Sequence, residues 1–262
     1  MAAVHELWTD GPLERAPAAG FAIALGCHLA RAQQGVHLGG ARAGGDLVWI
    51  YPRRGAQEWG LPYGPGLMAF GHDPGRLILV ETRSAIEALW AGEEALRAAS
   101  PSSVVIALDG TYGAHAFIAS RRLELAARAG MASVFLLCAG MHAPASAASL
   151  RWRISPARGR AHAVASEADS APIAPIRGRG RAFPAHLRWC VTLERNRLGR
   201  GGTWIVEWNH EQATLAAIDA ASRTDAGVVA GALVGRTGAG GDVRALQAPS
   251  TSYSSHPGRL SA

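Results

Sequence analysis

Four continuous apolar runs of strand length constrain the fold of this chain most strongly. The runs are DLVWIY, RLILVE, SVVIALD and SVFLLCA, at 46–51, 76–81, 103–109 and 133–139. Runs without polar alternation are typical of central strands that are buried on both faces of a sheet. Because 48% of the 262 residues are hydrophobic, the chain can supply the core that such strands require.

Helical segments separate these runs. Ser84 and Glu87 form a capping-box pattern at the start of SAIEALWAGEEALRAAS, and Gly130 is placed to end AHAFIASRRLELAARAG. An earlier segment at 20–35, GFAIALGCHLARAQQG, predicts a further helix. Strands that alternate with helices indicate βαβ units, so we expect an α/β fold with a mainly parallel central sheet.

The pattern changes after residue 145. The segments at 149–155, 186–197 and 202–209 (SLRWRIS, HLRWCVTLERNR and GTWIVEWN) are separated by turns, and RLGRGG is suited to a hairpin between the last two. We therefore expect antiparallel strands added at one edge of the sheet, with a final strand at 227–235.

These patterns predict one α/β domain over 1–236. Its segment 156–184 is rich in Pro, Gly, Ala and Arg and predicts a flexible basic loop. The remainder, 237–262, has the composition of a disordered tail.

Basic charge is concentrated in one part of the chain. The sequence contains no lysine, and 151–200 holds eleven arginines against three acidic residues, within a net charge of +6 for the whole chain. Such a patch indicates a DNA or acidic-protein partner, although a solvated basic surface is an equally simple interpretation. The candidate DNA- or partner-binding residues are Arg151, Arg153, Arg158, Arg160, Arg177, Arg179, Arg181 and Arg188.

Aromatic residues accompany these arginines. Strand alternation predicts that Arg151 and Arg153 share one face, with Trp152 on the other. The tryptophans of this region either stack on bases of single-stranded DNA or pack the sheet against a helix; they are Trp152, Trp189, Trp204 and Trp208.

Cysteine and histidine residues indicate neither disulfide nor metal chemistry. Cys27, Cys138 and Cys190 are far apart, and the ten histidines show no metal-ligand spacing. With no signal-peptide pattern and no apolar run of about 20 residues, we expect a cytoplasmic protein.

Several longer stretches resemble one protein family. They are VHELW, YGPGLMAFGHDPGRLILVETR, ALWAGEEALR, SRRLELAARAG, LRWRI and LERNRLGRGGTWIVEWN. Their order and spacing, from about residue 4 to about residue 235, resemble ImuA, a RecA/SulA-like family of bacterial damage-inducible mutagenesis cassettes, in its alphaproteobacterial form. Family members carry a segment before the strand containing HE for which this sequence, starting with AAVHELW, has no counterpart.

The resemblance implies a RecA-like fold, a degenerate P-loop NTPase core, and a role in SOS translesion mutagenesis. The implied partners are an ImuB-like, Y-family-like subunit and an error-prone DnaE-type polymerase, with RecA and sequence-nonspecific DNA as further candidates. The alternatives are a SulA-like cell-division inhibitor and a simple DNA-binding module.

ATPase chemistry is not expected. The segment TDGPLERAPAAG precedes the first helix where a phosphate loop belongs, and it supplies neither lysine nor a Ser/Thr for magnesium. The second strand runs into Pro52 and Arg53 rather than a catalytic glutamate, and Cys138 occupies the phosphate-sensing region. Only Asp109 matches a Walker B carboxylate, and it equally suits a cap or turn. We therefore expect no enzyme activity and no cofactor.

One further segment is a candidate for partner docking. YGPGLMAF, at 63–70, places Tyr63, Leu67 and Phe70 on a loop constrained by Pro and Gly. These side chains are expected either to dock a protein partner or to close the core as a lid.

Overall fold

The computed structural model describes residues 2–34, 45–98, 101–108, 110, 112–113, 116–157, 187–197, 199–210 and 212–218. The strands in these residues are β1 (Val4–Thr9), β2 (Leu47–Pro52), β3 (Leu77–Thr82), β4 (Ser103–Ala107), β5 (Ser133–Ala139), β6 (Leu150–Pro156), β7 (Leu187–Asn196), β8 (Gly202–Asn209) and β9 (Thr214–Ala217). The helices are α1 (Arg15–Gln34), α2 (Arg53–Trp59), α3 (Gly64–Ala69), α4 (Ala85–Ala98) and α5 (Ala116–Gly130).

These strands form one mixed sheet in the order β3-β2-β4-β5-β1-β6-β7-β8-β9. Strands β1 to β6 pair in parallel, and β7, β8 and β9 extend the sheet in antiparallel pairs. The predicted α/β architecture is thus confirmed, including the antiparallel strands at one edge. The predicted hairpin is also confirmed, since β7 and β8 pair in register from Leu187↔Trp208 to Leu193↔Gly202.

The sheet separates two apolar layers. Helix α1 packs on one face, where the ring of Phe21 meets those of Trp152 and Trp189 at centroid distances of 6.0 and 5.8 Å. Helices α4 and α5 cover the opposite face and fully bury Ala88 and Leu123 there. The four tryptophans of the antiparallel region are all buried in the layer beneath α1, which supports packing rather than base stacking.

Helix α4 begins as the capping pattern predicts. The Ser84 hydroxyl accepts a hydrogen bond from the N–H of Glu87 at 3.2 Å, and the Glu87 carboxylate accepts one from the N–H of Arg83. Glu93, which the helical pattern places on a solvated face, is instead only 2% exposed. It pairs with Arg122 of α5 at 2.8 Å, because the two helices lie side by side on the sheet.

Two strands differ from the sequence expectations. The composition of RLILVE predicts a strand buried on both faces, and this prediction is wrong, because β3 is the outermost strand of the sheet. Strand β9 follows β8 without any apolar run that predicts it.

Several predicted segments fall outside the described residues. They are the basic loop beyond Ala157, the strand at 227–235 and the tail at 237–262. Within the part of the chain that the structure describes, no helix is both long and apolar enough to cross a membrane.

Candidate functional site

A crevice opens at the carboxyl ends of β1, β2, β4 and β5, beside the start of α1. Its volume is about 430 Å³, and it lies where open α/β sheets bind ligands. Arg15 is the only charged side chain among its described lining residues. Most of the lining is apolar and includes Ile23, Trp49, Ala56, Leu61, Leu108 and Leu137.

The connection from β1 to α1 differs from a phosphate-binding loop in its chemistry. Pro12 lacks an N–H, and the N–H of Asp10 is bonded to the Glu14 carboxylate at 3.0 Å. The Thr9 hydroxyl donates within the same connection, to the Gly11 carbonyl at 3.1 Å. The connection therefore holds two carboxylates, of Asp10 and Glu14, beside the position that a bound phosphate requires.

The other predicted remnants of an ATP site divide between described and masked positions. Arg53 starts α2 directly after β2 and donates through Nε to the Glu81 carboxylate at 2.7 Å. Cys138 lines the crevice, and burial, together with the nearby Glu6 charge, holds the pKa of its thiol well above the usual range. Asp109 lies outside the described residues.

A buried polar cluster lies on the α5 side of the sheet. Glu6, at the centre of β1, is fully buried and accepts a hydrogen bond from Nε of Arg151 at 2.6 Å. The Tyr112 hydroxyl also donates to Glu6, and Arg195 Nη2 lies 3.7 Å from the same carboxylate. Burial, followed by the Glu6 charge, raises the pKa of Tyr112 above its ordinary value. The sequence analysis did not identify this cluster, although a glutamate inside the apolar run VHELW was its available signal.

The structure places three of the predicted DNA-binding arginines on one face of the sheet. Arg151, Arg153 and Arg188 all lie opposite the buried Trp152, as alternation predicts. The remaining candidates lie outside the described residues; they are Arg158, Arg160, Arg177, Arg179 and Arg181.

Each of these three arginines has a carboxylate partner within the protein. Arg151 binds Glu6, whereas Arg153 contacts both Asp10 and Glu194 at 2.9 Å. Arg188 Nε lies 2.5 Å from Glu207 on the neighbouring strand. A DNA phosphate would therefore have to compete with these carboxylates, and DNA contact at the three arginines stays a prediction.

These ion pairs lead to a specific expectation for single-stranded DNA. We expect the variant carrying both Arg153→Gln and Arg188→Gln to bind a labelled single strand with the same salt dependence as the unmodified chain. Each lost phosphate contact would instead lower the slope of log K against log salt by about 0.7. Fluorescence anisotropy across a salt series measures this slope, and a drop of that size would show that the two arginines contact phosphates.

The predicted docking segment is divided between surface and core. Tyr63 is 69% exposed, but Leu67 and Phe70 are 1% and 6% exposed. Phe70 packs against Trp208 with a centroid distance of 5.5 Å. Docking through Leu67 and Phe70 is therefore corrected: both side chains close the core beneath α3, which was the alternative interpretation.

Histidine 5 on β1 makes stability dependent on pH. Burial lowers the pKa of His5 from 6.5 to about 3, and its Nδ1 accepts a hydrogen bond from the Trp152 indole at 3.4 Å. Below about pH 6.5 the unfolded chain takes up a proton at His5 that the folded chain excludes, so stability falls as the pH falls toward 3.

The expected loss is about 1.4 kcal/mol per pH unit below 6.5 from this residue alone. Urea unfolding of the chain and of His5→Gln, at about pH 7.5 and about pH 5.5, separates its contribution from that of other histidines. An unchanged stability difference between the two proteins at both pH values would contradict this assignment.

Comparison with known proteins identifies relatives over part of the chain. No family model matches the sequence. Protein ImuA of Caulobacter vibrioides, from strain NA1000 / CB15N and from strain ATCC 19089 / CIP 103742 / CB 15, is 32% identical over 181 residues. The match covers 63% of this chain and 62% of each relative, so it spans less than two thirds of their length.

A solved structure also shares similarity with the chain. The crystal structure of SulA from Pseudomonas aeruginosa is 21% identical and is covered over its full length by 53% of this chain, with a TM-score of 0.32. The described residues contain no group of His, Cys, Asp and Glu side chains that could hold a metal ion. By its sequence similarity to the Caulobacter proteins, the chain belongs to the ImuA family.

Proposed function

We propose that this chain is a non-catalytic accessory factor in SOS-induced translesion mutagenesis and that it acts by binding other proteins. The observation that carries the proposal is the similarity to ImuA over 181 residues. The partners that the family implies are an ImuB-like subunit and an error-prone DnaE-type polymerase, with RecA as a further candidate. In this role the α/β domain would hold the partners together at damaged DNA.

The geometry of the crevice supports a role without nucleotide chemistry. Triphosphate binding relies on backbone N–H groups and cations around the phosphates. Here the connection from β1 to α1 contributes the carboxylates of Asp10 and Glu14, and the crevice beyond it is mainly apolar. Apolar walls suit side chains of a protein partner better than they suit phosphate groups.

A nucleotide test examines the non-catalytic part of the proposal. We expect the purified chain to release no phosphate from MgATP above the rate of buffer and to show no saturable heat of MgATP binding in calorimetry. Arg15→Ala is the informative variant, because Arg15 is the one cation in the described lining of the crevice. Saturable hydrolysis by the unmodified chain that Arg15→Ala abolishes would contradict the proposal.

A capture experiment examines the partner-binding part. The tagged chain is expressed in its source cells, the cells are treated with a DNA-damaging agent, and the extract is digested with nuclease before capture. We expect the ImuB-like subunit and the DnaE-type polymerase to be recovered after nuclease. Recovery of a tubulin-like division protein instead would favour the SulA-like alternative, and recovery that disappears with nuclease would favour a DNA-binding module.

A further inference from the structure

The outermost strand of the sheet, β3, has the composition of a buried strand but one open side. Its inner side pairs with β2 along the whole strand, from Leu47↔Leu77 to Pro52↔Thr82. Among the described residues, no strand pairs with its outer side. Ile78 and Leu79, which point to opposite faces, are each 44% exposed. Apolar side chains on both faces are what a strand with two neighbours requires.

Strand β3 also lacks the features that normally protect a sheet edge. Natural edge strands carry lysine, proline, bulges or inward-pointing charges that prevent pairing with another chain. β3 is six residues long, contains no proline and pairs with β2 without a register shift. Its one charged residue, Glu81, is neutralised by Arg53, whose Nη2 lies 2.6 Å from the carboxylate. The open side of β3 is therefore suited to pairing.

The carboxyl end of β3 leads toward the crevice. Arg53, Glu81, Ala56, Gly60 and Leu61 line a shallow groove beside this end of the strand. Ala56, Gly60 and Leu61 also line the crevice, so the two depressions are continuous. An extended segment placed along β3 thus has an apolar path onward into the crevice.

We propose that the open side of β3 binds an extended segment of a partner protein as an additional strand, with apolar side chains on both of its faces. Backbone N–H and C=O groups of β3 supply the hydrogen bonds, and Ile78 and Leu79 select apolar residues. The segment continues past Gly60 toward the crevice. The inference deepens the proposed function, on which it rests only for the identity of the partner.

A peptide probe tests the strand site directly. The probe is a fluorescein-labelled ten-residue peptide with four central valine and isoleucine residues and polar flanks, added to the full chain. We expect it to slow hydrogen exchange at alternate amides of Leu77–Thr82 by at least about tenfold when the site is saturated. The same peptide with its four central amides N-methylated cannot form the backbone bonds, and we expect it to give no protection.

A pair of matched variants separates the strand site from general stickiness. Leu79→Arg places a charge on the open strand, whereas Leu125→Arg changes a side chain that is 61% exposed on α5. We expect Leu79→Arg to weaken peptide binding by at least about tenfold and Leu125→Arg to leave it unchanged. Equal weakening by both variants, or protection by the methylated peptide, would overturn the proposal.

Two further outcomes would also overturn it by identifying another occupant. If the amides are already protected in the isolated chain at every concentration, a segment of the chain itself covers β3. If protection rises only with protein concentration and a dimer appears in sedimentation, a second copy occupies the site. Capture with Leu79→Arg separates the two proposals, because loss of the mutagenesis partners with peptide binding intact would leave only the site assignment in error.

Discussion

Replacement of Glu6 by alanine is expected to lower the free energy of unfolding by about 3–5 kcal/mol. Glu6 is fully buried, and its carboxylate binds Arg151, whose side chain is 12% exposed, at 2.6 Å. Removal of the carboxylate leaves the Arg151 guanidinium buried without its opposite charge and leaves the Tyr112 hydroxyl without its acceptor. Urea unfolding followed by circular dichroism measures this loss.

A double variant distinguishes the unpaired charge from the loss of packing. Glu6→Met combined with Arg151→Met removes both charges and retains much of the volume, so we expect it to be more stable than Glu6→Ala. Glu194→Ala is a matched control, because this exposed carboxylate also pairs with an arginine, Arg153. Its expected cost is less than about 1 kcal/mol, and an equal cost for Glu6→Ala would contradict the account of the buried cluster.

Replacement of Trp152 by alanine is expected to cost about 3–5 kcal/mol of stability. Trp152 has no exposed surface, contacts Phe21 of α1 at a centroid distance of 6.0 Å and donates its indole N–H toward His5. The substitution opens a cavity between the sheet and α1 that rigid neighbours fill only in part. The control is Trp90→Ala on α4, where the side chain is 59% exposed and the expected change is within about 0.5 kcal/mol.

The same two tryptophan variants bear on nucleic-acid binding. Because Trp152 packs beneath α1, we expect its loss to reduce stability and not to reduce affinity for single-stranded DNA at temperatures where the variant is folded. Loss of base stacking would instead cost about 1–3 kcal/mol of binding free energy. A loss of that size with the fold intact would restore the stacking interpretation.

The sequence predicts the strands of this fold better than it predicts their neighbours. Apolar runs identify β2, β4 and β5 because all three are buried. The same reasoning fails for β3, because side-chain composition does not specify the order of strands in a sheet. Helix α3 is equally informative: the burial of Leu67 and Phe70 depends on contact with β8, which lies more than a hundred residues away.

The ion pairs of the candidate site could not be predicted for a related reason. Strand alternation correctly places Arg151 and Arg153 on one face of β6, since that requires only local geometry. Their partners Glu6 and Asp10 are 145 and 143 residues away in the chain, and only the parallel pairing of β1 with β6 brings them together. A basic stretch of sequence is therefore a weak guide to free positive charge.

The measurement that tests the central claim most directly is the frequency of damage-induced mutation in cells that lack this chain. We predict that deletion of its gene leaves survival of undamaged cells unchanged and removes the rise in mutation frequency after treatment with a DNA-damaging agent. Expression of the unmodified chain in the deletion strain should restore the rise. A deletion strain that mutates as the parent does, but no longer arrests division after damage, would contradict the account and favour a division inhibitor.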